Sequence, residues 1–471
     1  MKMRRHVLLT CILVSLMAGC AVGPDYHRPE VTSPESYRFA DPNATSSFNA
    51  EWWHQFNDPV LDQLVSKAVA QNKDLAIATA RIDEYRGRVM ETSSQLYPQI
   101  GLGASGGRQR NAATKLTPNY ETSQVQVAAA MSWEIDLFGR LRRLRESAKA
   151  DLLSTEFARQ GTLVSLEASV ASAYITLRDL DQRLVIAQAT VATRLDALNL
   201  FQERFAGGVV SQVQLSQAES EYAVAQTSES AIAQQIAQQE NAISLLLGEN
   251  PGPIPRGKSI DQISLPAIPA GLPSALLQQR PDIQEAEQNL VSANAQIGAA
   301  RAQYFPVISL TGLLGRASTG LGSLWSGPAK MWSYAGAISQ PIFTGGAIRG
   351  SVHVAEARQQ QALFAYQAAI QNAFADVDNA LVGEQRSKEQ LVSTNDQVKA
   401  LGQYASLSRD LYEGGYTSYL EVLDAERSLF NAQLTQSGLQ AQQLIEVINV
   451  YKALGYGWPA GKEGLADDRP Q

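Results

Sequence analysis

The chain carries nearly the same text twice, about 207 residues apart, so it must fold as one supersecondary unit built in two copies. Gly207-Gly208 recurs as Gly414-Gly415, Ala218-Glu219 as Ala425-Glu426 and Leu247-Gly248 as Leu454-Gly455, each 207 residues on. Tyr97-Pro98 returns as Phe305-Pro306 after 208 residues and Phe138 as Phe343 after 205, slippage that strands and turns tolerate. Each copy reads strand, strand, long helix, hairpin, long helix. No long Pro/Gly/Ser linker interrupts the 471 residues, so one continuous body of two similar halves is expected rather than about three ordinary domains. The expected divisions are 1–19, 20–60, repeat 1 over 61–248, 249–281, repeat 2 over 282–455, and a tail over 456–471.

Residues 1–19 read as a processing segment. Lys2, Arg4 and Arg5 precede an apolar stretch from Val7 to Met17, too short to span a bilayer, which ends in Met17-Ala18-Gly19-Cys20. This resembles a bacterial lipoprotein signal, which implies cleavage before Cys20 and its acylation; Ala21 in place of Asp then implies transport to the outer membrane. The competing reading is ordinary cleavage that leaves Cys20 an unmodified thiol. Cys11 leaves with the signal, so no disulfide can form within the mature chain.

After the signal no run of eighteen apolar residues exists, so membrane contact must come from strands. From Gln124 to Leu137 the odd positions are Val125, Val127, Ala129, Met131, Trp133, Ile135 and Leu137, while Gln124, Gln126, Ser132, Glu134 and Asp136 fall between them. That period of two is long enough for a tilted strand to cross a bilayer, which takes about 9 to 11 residues. Ile100, Leu102 and Ala104, then Ile308, Leu310 and Leu314, then Trp332, Tyr334 and Ile338 repeat it more weakly. The strand pairs are expected over about 99–137 and 307–343, with polar loops from Arg108 to Thr122 and from Arg316 to Lys330. A half-buried soluble sheet shows the same alternation. Trp133, Trp332 and Tyr334 favour an interfacial aromatic girdle. Four strands close no barrel, and lipid tolerates no open edge, so such a wall must be shared between chains.

The remainder reads as helix. From Leu141 to Arg204 there is no proline and Gly161 is the sole breaker, predicting a helix or broken helix of roughly 95 Å. Leu184, Val191, Leu198 and Phe205 recur every seven residues. A three-four spacing runs from Leu215 to Leu246, and another from Leu420 to Tyr451, as in coiled-coil seams. Other faces carry alanine and glutamine, suited to close packing on one side and to lining a wet conduit on another. Between the halves Asn250 to Pro281 is proline-rich and is expected as an extended belt, as are 21–59 and the tail.

Several function classes are excluded. Charged residues are 18%, and the net charge of −7 is spread without blocks, which argues against nucleic acid. His6, His27, His54 and His353 are scattered without a second ligand at metal spacing, so no metal site and no cofactor is expected. No nucleophile and base arrangement appears, so an enzyme is not expected. Gly101-x-Gly103-x-x-Gly106 matches a dinucleotide fingerprint, but no helix follows it. Asp376-x-Asp378 lacks the remaining calcium ligands. The cluster Arg140, Arg142, Arg143 and Arg145 follows a predicted strand; a periplasmic lipid surface and a solvated helix start both fit it.

Six segments together carry a resemblance: Cys20-Ala-Val-Gly-Pro-Asp-Tyr26, Trp52-Trp53, Glu134-Ile-Asp-Leu-Phe-Gly-Arg140, Leu276-Leu-Gln-Gln-Arg-Pro-Asp-Ile283, Ile297 through Pro306, and Tyr419 through Arg427. The chain resembles the TolC/OprM-type outer membrane factors, in particular the lipoprotein branch serving resistance-nodulation-division efflux pumps. The resemblance implies an α+β membrane protein: a homotrimer giving four strands per chain to one twelve-stranded barrel, continued by a periplasmic barrel of helices. It implies a passive duct for drugs or other small amphiphiles, supplied by an inner-membrane pump through a periplasmic adaptor. The alternatives are a duct for secreted protein or for metal ions, or a periplasmic coiled-coil scaffold without membrane strands.

The resemblance also implies that the hairpin tips at Gly207, Gly208, Gly414 and Gly415 form the entrance and meet the adaptor. Beyond the second tip Leu420 and Asp424 lie four apart on one helical face with Glu421 beside them. In the family this face narrows the entrance, Tyr412 ties helices through its hydroxyl, and three-fold symmetry gathers three Asp424 carboxylates. Each like-charge pair costs about 4 kcal/mol at ~4 Å and an effective dielectric of ~20, so a closed ring should bind a proton or cation, or stay wider than contact. The competing reading of Asp424 is a solvated charge paired with Arg427 or Arg409. Gln214 stands where the TolC branch has an aspartate in the first tip.

Overall fold

The structure is a computed structural model that describes residues 21–31, 33–39, 51–113, 118–268 and 273–457. The signal segment, Cys20 and most of the tail lie outside the described residues. The elements are α1 (Pro59–Gln71), α2 (Lys73–Ser94), β1 (Gln99–Asn111), β2 (Tyr120–Ile135), α3 (Arg140–Ala206), α4 (Gln212–Leu246), α5 (Pro273–Gln279), α6 (Pro281–Ala302), β3 (Val307–Ser318), β4 (Lys330–Ser339), α7 (Ala347–Glu413) and α8 (Tyr419–Ala453). The duplication is carried into the helices residue for residue. α3 and α7 are both 67 residues, α4 and α8 both 35, and each second copy starts and ends 207 positions after the first (Arg140 to Ala347, Leu246 to Ala453).

Two compact units divide the chain: the described parts of Met1–Val31, Ala80–Glu156 and Glu285–Ala368 form one, and those of Thr32–Thr79, Phe157–Gln284 and Ala369–Gln471 the other. The first unit holds the sheet, antiparallel throughout in the order β1-β2-β3-β4. Below it the segment from Ala21 is pinned to α6. Arg28 Nε donates to Glu287 at 2.6 Å, Tyr26 Oη at 3.1 Å, and Asn294 Nδ2 donates to the Pro24 carbonyl at 3.0 Å. Val22 N donates to Phe138 O at 3.1 Å. The second unit packs Trp52 face to face on Tyr451, with ring centroids 5.4 Å apart, and buries Asp58, which caps Val60 N and accepts from Tyr174 Oη at 2.8 Å.

Where expectation and structure part, the causes are local. The strands run deeper into the loops than expected, to Asn111 and Ser318, because Arg108, Arg110 and Arg316 sit on the apolar face and hide the alternation there. β2 ends at Ile135 rather than Leu137, since the Asp136 carboxylate turns to cap α3, accepting from Leu141 N at 3.0 Å and Arg142 N at 2.8 Å. Gly161 does not break α3; a helical glycine costs only about 1 kcal/mol, and the long seams outweigh it. The proline belt contains α5, and Pro281 opens α6, because proline at a first helical position loses no needed donor. A 3-10 turn over Trp52–Phe56 interrupts the segment expected to be extended. One eighteen-residue window of α3 is apolar enough by composition for a membrane span, contrary to the expectation that none follows the signal. Of that window 22% is buried within the chain.

Candidate functional site

Cross-strand register sorts the sheet's side chains into two faces. Pairs such as Ile100 with Met131, Ala129 with Leu314, Leu314 with Trp332 and Trp133 with Leu310 make one face apolar. Pairs such as Gln99 with Ser132, Gly107 with Gln124, Gln109 with Thr122 and Ser132 with Thr311 make the other polar but almost uncharged. On the apolar face Trp332 and Tyr334 are 70% and 81% exposed and stacked on one another, side chains left uncovered among the described residues. At the helix end of the sheet, Trp133 Nε1 donates to Leu96 O at 2.9 Å and Phe138 stacks on Phe305 at 4.7 Å. Among the described residues β1 and β4 each have one hydrogen-bonded neighbour strand, so both edges of the sheet present unpaired backbone groups.

The hairpin tips belong to the second unit and are built alike. Gly208 and Gly415 have φ of +71 and +78. Val209 N donates to Arg204 O at 2.9 Å and Tyr416 N to Leu411 O at 2.8 Å, the long bond of a Schellman motif. Ser211 then caps α4 reciprocally with Gln214. Ser418 precedes α8 without a side-chain cap bond, and Glu421 accepts from the Thr417 hydroxyl.

The two hairpins are held together by Leu198, Phe201, Leu215, Ala218, Tyr419, Val422 and Leu423, a buried apolar cluster. Tyr412 Oη accepts from Arg204 Nη1 at 2.9 Å, joining α7 to α3. Beneath this cluster lies an ionic group that sequence reasoning missed: Arg194, 4% exposed, donates to Glu426 at 2.6 Å, and Arg409 donates to the other oxygen of the same carboxylate. Its signal lay in failures of the repeat. At the 207 offset Arg194 and Arg204 face Leu401 and Leu411, and Phe205 faces Tyr412, so each half carries one side of the bond. Leu420 is 60% exposed beside the tip. Asp424 accepts from Arg427 at 3.1 Å, both side chains more than half exposed, and an ion pair of that kind is worth at most about 1 kcal/mol. Gln217 and Gln214 occupy the positions of Asp424 and Glu421 in the first hairpin, so these two carboxylates have no counterpart there.

Among the described residues no group of three or more His, Cys, Asp or Glu side chains converges as a metal site. Deep in the second unit Glu167 is buried and its Oε2 has no hydrogen-bond partner among the described residues; burial pushes its carboxyl up to about 9.

Comparison with known proteins gives a consistent result. A sequence model of the outer membrane efflux protein family matches residues 64–249 and 272–456. The chain is 36% identical over 466 residues to the probable efflux pump outer membrane protein TtgC of Pseudomonas putida, covering 97% of this chain and 96% of the relative. It is 36% identical over 467 residues to the cation efflux system protein CusC of Escherichia coli K12, covering 95% and 98%. Among solved structures, the open state of the Neisseria gonorrhoeae MtrE outer membrane channel superposes with a TM-score of 0.83 at 32% identity, over 93% of this chain and 98% of that one.

Proposed function

This chain belongs to the outer membrane efflux protein family and is an outer membrane efflux channel, and we propose that it works as a homotrimeric, passive duct for drugs or other small amphiphiles. The observation that carries the reading is the open four-stranded sheet. Its apolar face needs lipid and its two free edges need partners, and three copies pairing β4 to β1 satisfy both as twelve strands around one lumen. The polar face of Gln, Ser, Thr and Gly then lines a wet path that holds no fixed charge in its outer half. That suits amphiphilic cargo better than a metal ion or a folded protein, although CusC is named for cations and a Pseudomonas putida TtgC for toluene.

The duct does no covalent chemistry of its own. An inner-membrane pump of the resistance-nodulation-division type supplies cargo through a periplasmic adaptor that meets the tips at Gly207, Gly208, Gly414 and Gly415. Cys20 carries the lipid anchor. Its bonded neighbour Ala21 lies so close to Gly139, at the foot of β2, that a side-chain carbon there would meet Ala21 Cα at 2.8 Å, so the anchor would leave the chain beside the membrane sheet.

At the entrance Leu420 forms the apolar constriction and Asp424, with Glu421 nearby, the selectivity ring. The Arg427 partner moderates each carboxylate, so the two charges oppose one another in function. In planar bilayers purified trimers conduct as single channels. Asp424→Ala lowers the preference for cations over anions, whereas Arg427→Ala raises it. Absence of conductance rejects the duct, and equal selectivity in the two variants removes Asp424 from the entrance.

A further inference from the structure

Six charged residues lie in the four strands, and their placement contradicts the ordinary rule that barrel charges face water inside. Glu134 is at the helix end on the polar face. The other five, Arg108, Arg110, Glu121, Arg316 and Lys330, are all near the loop end, and register puts every one on the apolar face. Arg110 is opposite Glu121, Arg108 opposite Ser123, Arg316 opposite both Val127 and Lys330, and Val127 opposite Ala104. The row beneath is Leu102, Ala129, Leu314 and Trp332. Four rows separate Arg316 and Lys330 from Ile135, Ile308 and Ile338 at the helix end. At about 5 Å of depth per row for strands tilted by about 40°, Arg316 and Lys330 lie about 20 Å up, at the rim of an apolar band of about 25 Å, and Arg108 and Arg110 lie two and three rows further out, on the headgroup side. Helices attach at the other end of every strand, so this rim faces the exterior.

The rim is assembled rather than incidental. Arg316 Nη1 donates to the Ser326 carbonyl at 3.1 Å, and its guanidinium lies 5.4 Å from the Trp325 ring, which drapes the β3–β4 loop over the same face. Trp325 and Leu321 of that loop are each 73% exposed. Arg108 pairs with Glu121, which leaves four cations against one carboxylate per chain, beside exposed apolar side chains. Pairing β4 of one copy to β1 of the next occupies the strand edges and leaves this face to lipid. A cationic surface at headgroup depth with aromatic and aliphatic side chains just below it fits a lipid whose headgroup carries phosphate.

We propose that this rim binds phosphate-bearing lipid of the outer leaflet, with Arg108, Arg110, Arg316 and Lys330 contacting phosphate and Trp332, Leu314 and Trp325 contacting acyl chains. The inference rests on the outer membrane barrel reading. Tightening by charge and weakening by salt follow from its electrostatic origin.

The test uses the full-length trimer, delipidated in neutral detergent. Three probes are a bisphosphorylated, acylated glucosamine disaccharide, the same lipid after dephosphorylation, and inorganic phosphate, with bound lipid counted by native mass spectrometry. The phosphorylated lipid should bind at least ten-fold more tightly than the dephosphorylated one, and Arg110→Gln with Lys330→Gln should lose that margin. Where the double variant fails to give a heat-resistant trimer, each single variant is expected to lose about three-fold. Equal binding of the two lipids, or undiminished binding by the variants, overturns the proposal. Displacement by millimolar inorganic phosphate assigns the rim to free phosphate and overturns it too. A conducting trimer indifferent to lipid phosphate defeats this inference alone, while a chain that never conducts defeats the barrel itself.

Discussion

Single residues in this protein divide into those that hold the hairpins together and those that titrate. Arg194 is buried and its partner Glu426 half-buried, and Arg409 adds a second donor to the same carboxylate, so the carboxylate keeps one partner when the other arginine swings away. Neither was visible in the sequence as a pair, because their separation of 232 residues has no periodic trace. Asp424 was visible by spacing, but only packing reveals that its neighbour Arg427, rather than Arg409, takes the carboxylate. Glu167 is a different case. Folded, it titrates near 9, against 4.5 for an ordinary glutamate, so the folded state holds one more proton between those values and loses stability as pH rises through them. Glu167→Gln removes that dependence. The variant should gain on the order of a few kcal/mol over the wild type at pH 8 and little at pH 5, read from thermal unfolding at the two pH values.

At the scale of elements, helices and turns were nearly complete in the sequence. Heptads and three-four spacings gave the long helices, and the glycine pairs gave the reversals, because a Schellman turn needs positive φ that glycine supplies without strain. Gly415 has open space where a side-chain carbon would go, so Gly415→Ala is penalised through φ alone, by about 1 kcal/mol. Gly414 has an ordinary φ but would place that carbon 2.9 Å from the Tyr416 ring, which is 85% exposed and free to turn. Hydrogen exchange at the second tip should therefore accelerate more in Gly415→Ala than in Gly414→Ala. Strand ends were the poorest reading. Alternation of apolar and polar residues marks a strand only while the apolar face stays apolar, and Arg108, Arg110 and Arg316 end the signal before the hydrogen bonding ends.

For the whole molecule the deciding fact is the incomplete sheet. A trimer joined through β1 and β4 depends on edge backbone donors, and proline lacks one. In β4, Ala335 and Gly336 are neighbours, so one donates its N–H towards β3 and the other towards the open edge. Proline at either position should abolish the heat-resistant trimer in detergent gels, while Gly320→Ala in the loop, where the backbone is extended and a side-chain carbon meets nothing, should leave it in place. The residue order by itself determined the duplication, the helix lengths, the turn positions and the need for a shared wall, since all of these follow from local periodicity and from the lack of a membrane-spanning helix in the reading. Tertiary structure alone decided which arginines meet which carboxylates across the two hairpins, and that the strands' outer charges gather on one face. Such pairings depend on register and packing between segments hundreds of residues apart, for which a linear sequence carries no period to read.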